Sequence, residues 1–327
     1  MYKEHDNKSV ISLVGVIAIT LLTAFAAWLP AFWFQPILLN TQGGGTLYRG
    51  IVPLLDNMAT ATPVITLVAL LALSIWQCWQ CDNLRLVKTT SLLPILFVLL
   101  LMGVFVSEHG VSPGIPASIC VYMAFVQLSR PCNYEDTLWR SLEMGLFLSI
   151  ASLFAPTYVF YIPIFWIGMQ LLNRLQIAHL FASIIGLITP YVLLFGFWFL
   201  TDNTQLITYQ CELLDTQFCI DWLWSIHETI LLIIIGIALL VALMGFLHQH
   251  TDRIHPRAIS SCCFVVAFSA LLLSLLYHNA HHTPVLVLFT SLVLTQYFNY
   301  RSKKLTTVFF YTFIASLLFV YTTQFVA

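Results

Sequence analysis

Residues 226–247 read IHETILLIIIGIALLVALMGFL, and no Asp, Glu, Lys or Arg follows Glu228 until Asp252. An unbroken apolar run of this length suits a helix that crosses about 30 Å of hydrocarbon, for which about 20 residues are needed. A membrane-spanning strand would instead alternate apolar and polar residues over about ten positions. The rest of the chain repeats the pattern: of 327 residues 60% are hydrophobic and 8% charged. A soluble domain carries roughly a quarter charged residues, so this composition cannot cover its surface in water. The expectation is an all-α, polytopic transmembrane bundle forming a single integral-membrane domain over 1–327, with no soluble domain.

Threading the runs through a bilayer predicts eleven spans, at about 10–34, 61–80, 90–106, 114–129, 138–155, 157–173, 178–200, 226–247, 259–277, 284–298 and 305–325. The first is too long for the apolar core of a signal peptide, about 7–15 residues, and reads as an uncleaved anchor. Twelve of the thirteen Lys and Arg then fall on one side: Lys3, Lys8, Arg85, Lys88, Arg130, Arg140, Arg174, Arg253, Arg257, Arg301, Lys303 and Lys304. Only Arg49 lands on the other. Basic residues beside spans are retained in the cytoplasm, so the amino terminus is expected inside and the carboxyl terminus outside. Spans three, four and ten are short for a bilayer, and a re-entrant pair would lower the count to nine or ten. No internal repeat of the transporter type stands out.

The membrane interior lacks charge. Glu143 lies about a turn into span five, within reach of Arg140 or Arg130, and the other acids sit near the faces. An ionisable group at mid-bilayer costs at least ~2.5–3.5 kcal/mol and is kept where function needs it, so proton pumps and charged-filter channels usually show one. Pro30, Pro94, Pro163 and Pro190 are expected to bend their spans. With Tyr158, Tyr161, Trp166, Tyr191 and Trp198 they outline a cavity wall between spans six and seven; ordinary packing is the simpler reading.

The outer face carries the candidate chemistry. His278, His281 and His282 have the spacing of a partial metal site, but no His-Glu-x-x-His pattern accompanies them, and solvated turn histidines are the simpler reading. Cys211 and Cys219 share the outer loop, where an oxidising compartment permits a disulfide whose geometry sequence cannot supply. Cys78-x-x-Cys81 and Cys262-Cys263 read as buried small apolar residues. Arg49, Asp56 and the Gly43-Gly44-Gly45 run form the remaining cluster. Membrane glycosyltransferases using lipid-phosphate donors often carry an acidic base and a phosphate-holding cation in an early external loop. The acidic pair usual directly after their first helix is missing here, and a flexible loop with a neutralised pair is the simpler reading. The segment 130–136 anchors helix ends at the headgroups.

The middle of the chain resembles an uncharacterised bacterial family of polytopic inner-membrane proteins, a domain of unknown function. The resemblance covers roughly 90–200 and is carried by Leu148 to Pro156, Phe165-Trp166-Ile167, Arg174 and Gly186 to Tyr191. It implies a multi-pass protein of the bacterial inner membrane, without catalytic residues to carry over. Ala151, Ser152 and Ala155 are expected to let span five pack closely on span six.

Three functions fit these observations. The first is a non-catalytic component of a cell-envelope pathway, with other envelope proteins as partners. The second is a membrane-embedded glycosyltransferase or polymerase using a polyprenyl-linked substrate, with Asp56, Asp202, Asp215 or Glu228 as base and Arg49 on phosphate. The third is a lipid or small-solute transporter. The lipid bilayer is a partner in each; no cofactor and no nucleic acid is expected, and whether the chain is an enzyme stays open.

Overall fold

The computed structural model describes residues 22, 28, 44–56, 61–84, 86–87, 91–105, 112–130, 134–203, 205–206, 209–210, 212, 226–247, 254–277, 281–300 and 304–326. Among them are eleven α-helices and no β-strand. They are α1 Thr46–Asp56, α2 Thr62–Asn83, α3 Leu93–Val104, α4 Gly114–Ser129, α5 Tyr134–Phe154, α6 Tyr161–Leu171, α7 Ile177–Leu200, α8 Ile226–Leu247, α9 Ile254–Leu276, α10 Thr283–Tyr300 and α11 Lys304–Val326. A 3-10 turn, Pro156–Phe160, leads into α6. Helices α2 to α11 correspond to spans two to eleven. The first span lies outside the described residues except Leu22 and Trp28. Helix α1 is a finding: it occupies a stretch that reads as loop because Gly43–Gly45 and Pro53 punctuate it.

The short spans are the innermost ones. In α3, residues 96–102 are at most 2% exposed, and in α10 residues 285–295 are at most 1% exposed. A helix of 12 residues rises about 18 Å, well short of the hydrocarbon thickness. It needs no lipid-matched length because protein surrounds it, and its side chains are accordingly apolar on every face. Phe97 of α3 packs on Phe298 of α10 and on Phe310 and Phe313 of α11, at centroid distances of 5.7, 6.0 and 6.4 Å. The rim helices show the opposite pattern. Ile230, Ile233, Ile237, Leu240 and Met244 form an exposed stripe on α8, and Phe181, Ile185, Val192 and Phe197 line the outside of α7. Such stripes would aggregate in water; in a bilayer they are the lipid face.

Helix α5 makes its most extensive contacts with α7 and α4, not with α6. The reason lies in small residues spaced by four. Ser141, Gly145 and Ser149 are buried on α5, and Ala182 and Gly186 are buried on α7. A Cβ at Gly145 would strike the carbonyl of Ser183, and one at Gly186 the carbonyl of Leu142. Backbones approach this closely only where side chains are missing, which replaces a hydrophobic driving force that lipid cannot supply. Ala151, Ser152 and Ala155 are fully buried, with Ser152 donating to or accepting from the Tyr191 hydroxyl of α7 at 2.8 Å.

The prolines also differ from expectation. Pro94 and Pro163 sit in the first turns of α3 and α6, where the missing N–H has no intrahelical partner to lose. Pro190 alone of the described three lies within a helix, α7. Pro30 lies outside the described residues.

Some polar groups of the interior join helices, while other buried hydroxyls bond within their own helix. Gln77 of α2 donates from Nε2 to the Leu288 carbonyl at 3.1 Å, and Ser291 Oγ donates to Gln77 Oε1 at 3.2 Å. Gln77→Ala is expected to cost about 1 kcal/mol, in line with interhelical hydrogen bonds in membranes. A thermal midpoint in detergent unchanged from the parent would contradict that role.

Candidate functional site

Contacts between helix ends sort into two clusters, and their membership follows the alternation read from the sequence. One cluster joins the start of α1, the end of α5, the 3-10 turn, the start of α4, the segment 209–210 and the start of α10. The Gly45 amide donates to the Phe154 carbonyl at 2.7 Å, and the Thr46 amide to Gln210 Oε1 at 3.0 Å. The Tyr209 hydroxyl donates to the Gly44 carbonyl at 3.1 Å. Gly44 and Gly45 are thus held by protein partners through these groups, while Gly43 lies outside the described residues. Arg49 is exposed, with its guanidinium carbon 4.4 Å from the Tyr209 ring centroid. An exposed cation–π contact is worth about 0.5–1 kcal/mol, so Arg49→Ala is expected to destabilise the fold by that modest amount, read as a small drop in the thermal midpoint. A large loss of stability would mean that Arg49 has a further partner.

The two described histidines of this turn are not solvated. His281 is 5% and His282 1% exposed. His281 adopts φ 52°, a left-handed conformation that lets its carbonyl turn toward Tyr158, whose hydroxyl donates to it at 2.9 Å. The His282 ring lies on Tyr158 at 4.9 Å between centroids, with the planes 28° apart. Its Nδ1 is 3.4 Å from the Tyr161 hydroxyl, while Nε2 is buried with no hydrogen-bond partner among the described residues. Burial first, and the neighbouring His281 second, push the His282 imidazole down to about 3, so it is neutral at physiological pH. Stacking on an aromatic floor is what the spacing of a turn cannot reveal.

The remaining sequence candidates are described only in part. Asp202 is exposed, with φ 54°, and Glu228 is half-buried at the start of α8. Only the backbone of Asp56 is described, as the last residue of α1. Asp215, His278, Cys211 and Cys219 lie outside the described residues. Among the described residues no group of three or more His, Cys, Asp or Glu is placed to hold a metal ion. Cys78, Cys81, Cys120, Cys262 and Cys263 are free thiols at buried or half-buried positions.

The second cluster, at the opposite end, holds Arg140 of α5 and Arg174, which follows α6. Arg140 turns away from Glu143 and donates from Nη1 to Gln127 Oε1 at 3.2 Å. Glu143 instead accepts from Trp139 Nε1 at 2.9 Å. Arg174 donates from Nη1 to the Leu128 carbonyl at 2.9 Å, satisfying one of the open carbonyls in the last turn of α4. Arg140 and Arg174 line one small cleft together with Gln127, Leu128, Thr137, Ser141, Met144 and Met169. Thirty-odd residues separate the arginines along the chain, so nothing in the local pattern announces their meeting.

Five of the described helices are long and apolar enough to cross a membrane. With the buried short helices and the lipid-facing stripes, they define a polytopic helical membrane protein. The chain belongs to DUF6427, a family of unknown function, which it matches over residues 51–327. That match contains the stretch around 90–200 on which the sequence resemblance rests. No curated protein matches the chain, and no solved structure does.

Proposed function

We propose that the protein is a non-catalytic component of a cell-envelope pathway, resident in the bacterial inner membrane with its amino terminus in the cytosol. One observation carries this reading: among the described residues, several polar groups of the bundle interior and of the Gly44–Tyr209 cluster join elements of the protein to one another. Gln77, Ser291, Ser152 and Tyr191 bond across helices, and the Gly45 and Thr46 amides bond to Phe154 and Gln210. A transferase needs a cation and a carboxylate converging on a reacting atom, whereas exposed Arg49 packs on an aromatic ring. The orientation is supported by the one-sided distribution of Lys and Arg, the arginine cleft then facing the cytosol.

Mass spectrometry of the lipids and proteins retained after gentle extraction tests the proposal. A stoichiometric protein partner is the expected result. A retained polyprenyl phosphate that is lost in Arg49→Ala would overturn it in favour of chemistry on a lipid-linked glycan. Reporter fusions at Ala327 test the orientation, and a cytosolic carboxyl terminus would reverse the map.

A further inference from the structure

The arginine cleft has the composition of a ligand site, independently of the pathway the protein serves. Two guanidinium groups line it, and among the described residues neither Arg140 nor Arg174 is paired with a carboxylate. Each spends one donor on the protein, Arg140 on Gln127 and Arg174 on Leu128, out of the five a guanidinium carries. Arg140 Nε is buried without a partner. Two like charges facing a shared, partly desolvated space repel one another, and an uncompensated guanidinium donor in such a space is costly. An anion between them removes both costs.

Shape narrows the anion. The enclosed space of the cleft amounts to about one water molecule, far below the roughly 300–1,000 Å³ of a small-molecule pocket, so no whole nucleotide fits inside it. An anion shared by the two arginines would therefore sit at the opening of the cleft that they line rather than inside it. Leu128, Met144 and Met169 make part of the lining apolar, while Thr137, Ser141 and Gln127 add polar side chains. Planar guanidinium forks match phosphate oxygens in pairs. The site also lies at the ends of α4, α5 and α6, the level at which lipid headgroups meet a bundle.

We propose that the Arg140–Arg174 cleft binds a phosphate group, carried either by an anionic phospholipid of the adjoining leaflet or by a free phosphate ester. The membrane-protein class suffices for this; it does not depend on the envelope-pathway reading.

The test uses the full chain, reconstituted in pure phosphatidylcholine and in equimolar phosphatidylglycerol and phosphatidylcholine, with and without inorganic phosphate. Retention by native mass spectrometry and the thermal midpoint are the readouts. Preferential retention of phosphatidylglycerol, weakened roughly tenfold by Arg140→Gln and again by Arg174→Gln, assigns the phosphate to lipid. Stabilisation by inorganic phosphate in pure phosphatidylcholine, lost in the same variants, assigns it to a soluble ester. The proposal falls if the wild-type protein responds to neither, or if both variants respond as the wild type does. Should the variants fail to extract intact, the wild-type comparison of the two lipid mixtures and of added phosphate decides alone. The side chains of Glu135 and Asp136 lie outside those described. If Glu135→Gln with Asp136→Asn creates a phosphate response that the wild type lacks, an internal carboxylate is the occupant, and the proposal falls.

Discussion

Gly186→Leu is expected to separate α5 from α7 and to lower the thermal midpoint in detergent more than any other single change considered for this bundle. The atoms that a side chain at position 186 meets are the carbonyl of Leu142 and the amide of Leu146, both backbone, so no rotamer change can make room. Overpacking a tight contact costs about 1–3 kcal/mol where side chains can move. Here a whole helix must shift, and the upper end of that range or beyond is expected. Gly145→Leu should act alike, because it meets the Ser183 carbonyl from the other side of the same crossing. Gly196→Leu, on the same helix with nothing within 4 Å, is the control and should behave as the parent. If all three variants are equally stable, the close crossing is not a source of stability. If Gly196→Leu fails as badly as the others, the loss belongs to glycine content rather than to packing.

That contact also shows what can be read before folding. The small residues at positions 141, 145 and 149 of α5, and at 182 and 186 of α7, form visible every-fourth patterns. They are a packing signal, yet a chain alone does not say which two patterned faces meet. Proximity along the sequence favours span six as the partner of span five, whereas α7 takes the place because α6 offers no matching row of small residues beside α5. Span positions are legible for a simpler reason. Each needs a long apolar run, and lipid enforces that run residue by residue, so 114–129 and 226–247 are read to the residue. Helix α1 is short, begins after three glycines and contains Pro53, so no solvent-driven periodicity marks it.

The functional end groups divide along the same line. Arg49 is visible because threading the sequence leaves it as the one basic residue on its side; Tyr209 and Gln210, which fasten its helix to the rest, are not, since polar loop residues carry no periodic signature. Arg140 and Arg174 count in the sequence as ordinary members of the positive side. Their meeting across one cleft depends on how α4, α5 and α6 end together, which is a property of the packed bundle. The buried histidines make the point from the opposite side. A turn reading His-Asn-Ala-His-His is polar by composition, and burial comes from Tyr158 and Tyr161, more than a hundred residues earlier.

Burial of His282 has a measurable consequence in acid. The imidazole is held neutral in the fold, at about 3, while an exposed histidine in the opened chain takes its proton near 6.5. Between those values the opened chain binds more protons than the folded one, so stability rises with pH and is lost as pH falls below the unfolded value. From neutral pH to pH 5 the loss from this group is about 2 kcal/mol. Other groups titrate in the same interval, so the informative quantity is a difference between two proteins. His282→Phe keeps an aromatic ring on Tyr158 and gives up the long contact to the Tyr161 hydroxyl, which is expected to cost about 1 kcal/mol or less at neutral pH. In return the variant should lose the acid-sensitive part of the midpoint, so that the two proteins converge or cross as pH is lowered. Parallel curves for parent and variant across that interval would mean that the ring is protonated within the fold, and that its unpartnered Nε2 finds a proton acceptor there. Convergence would identify the turn before α10 as the point where acid first loosens this end of the bundle.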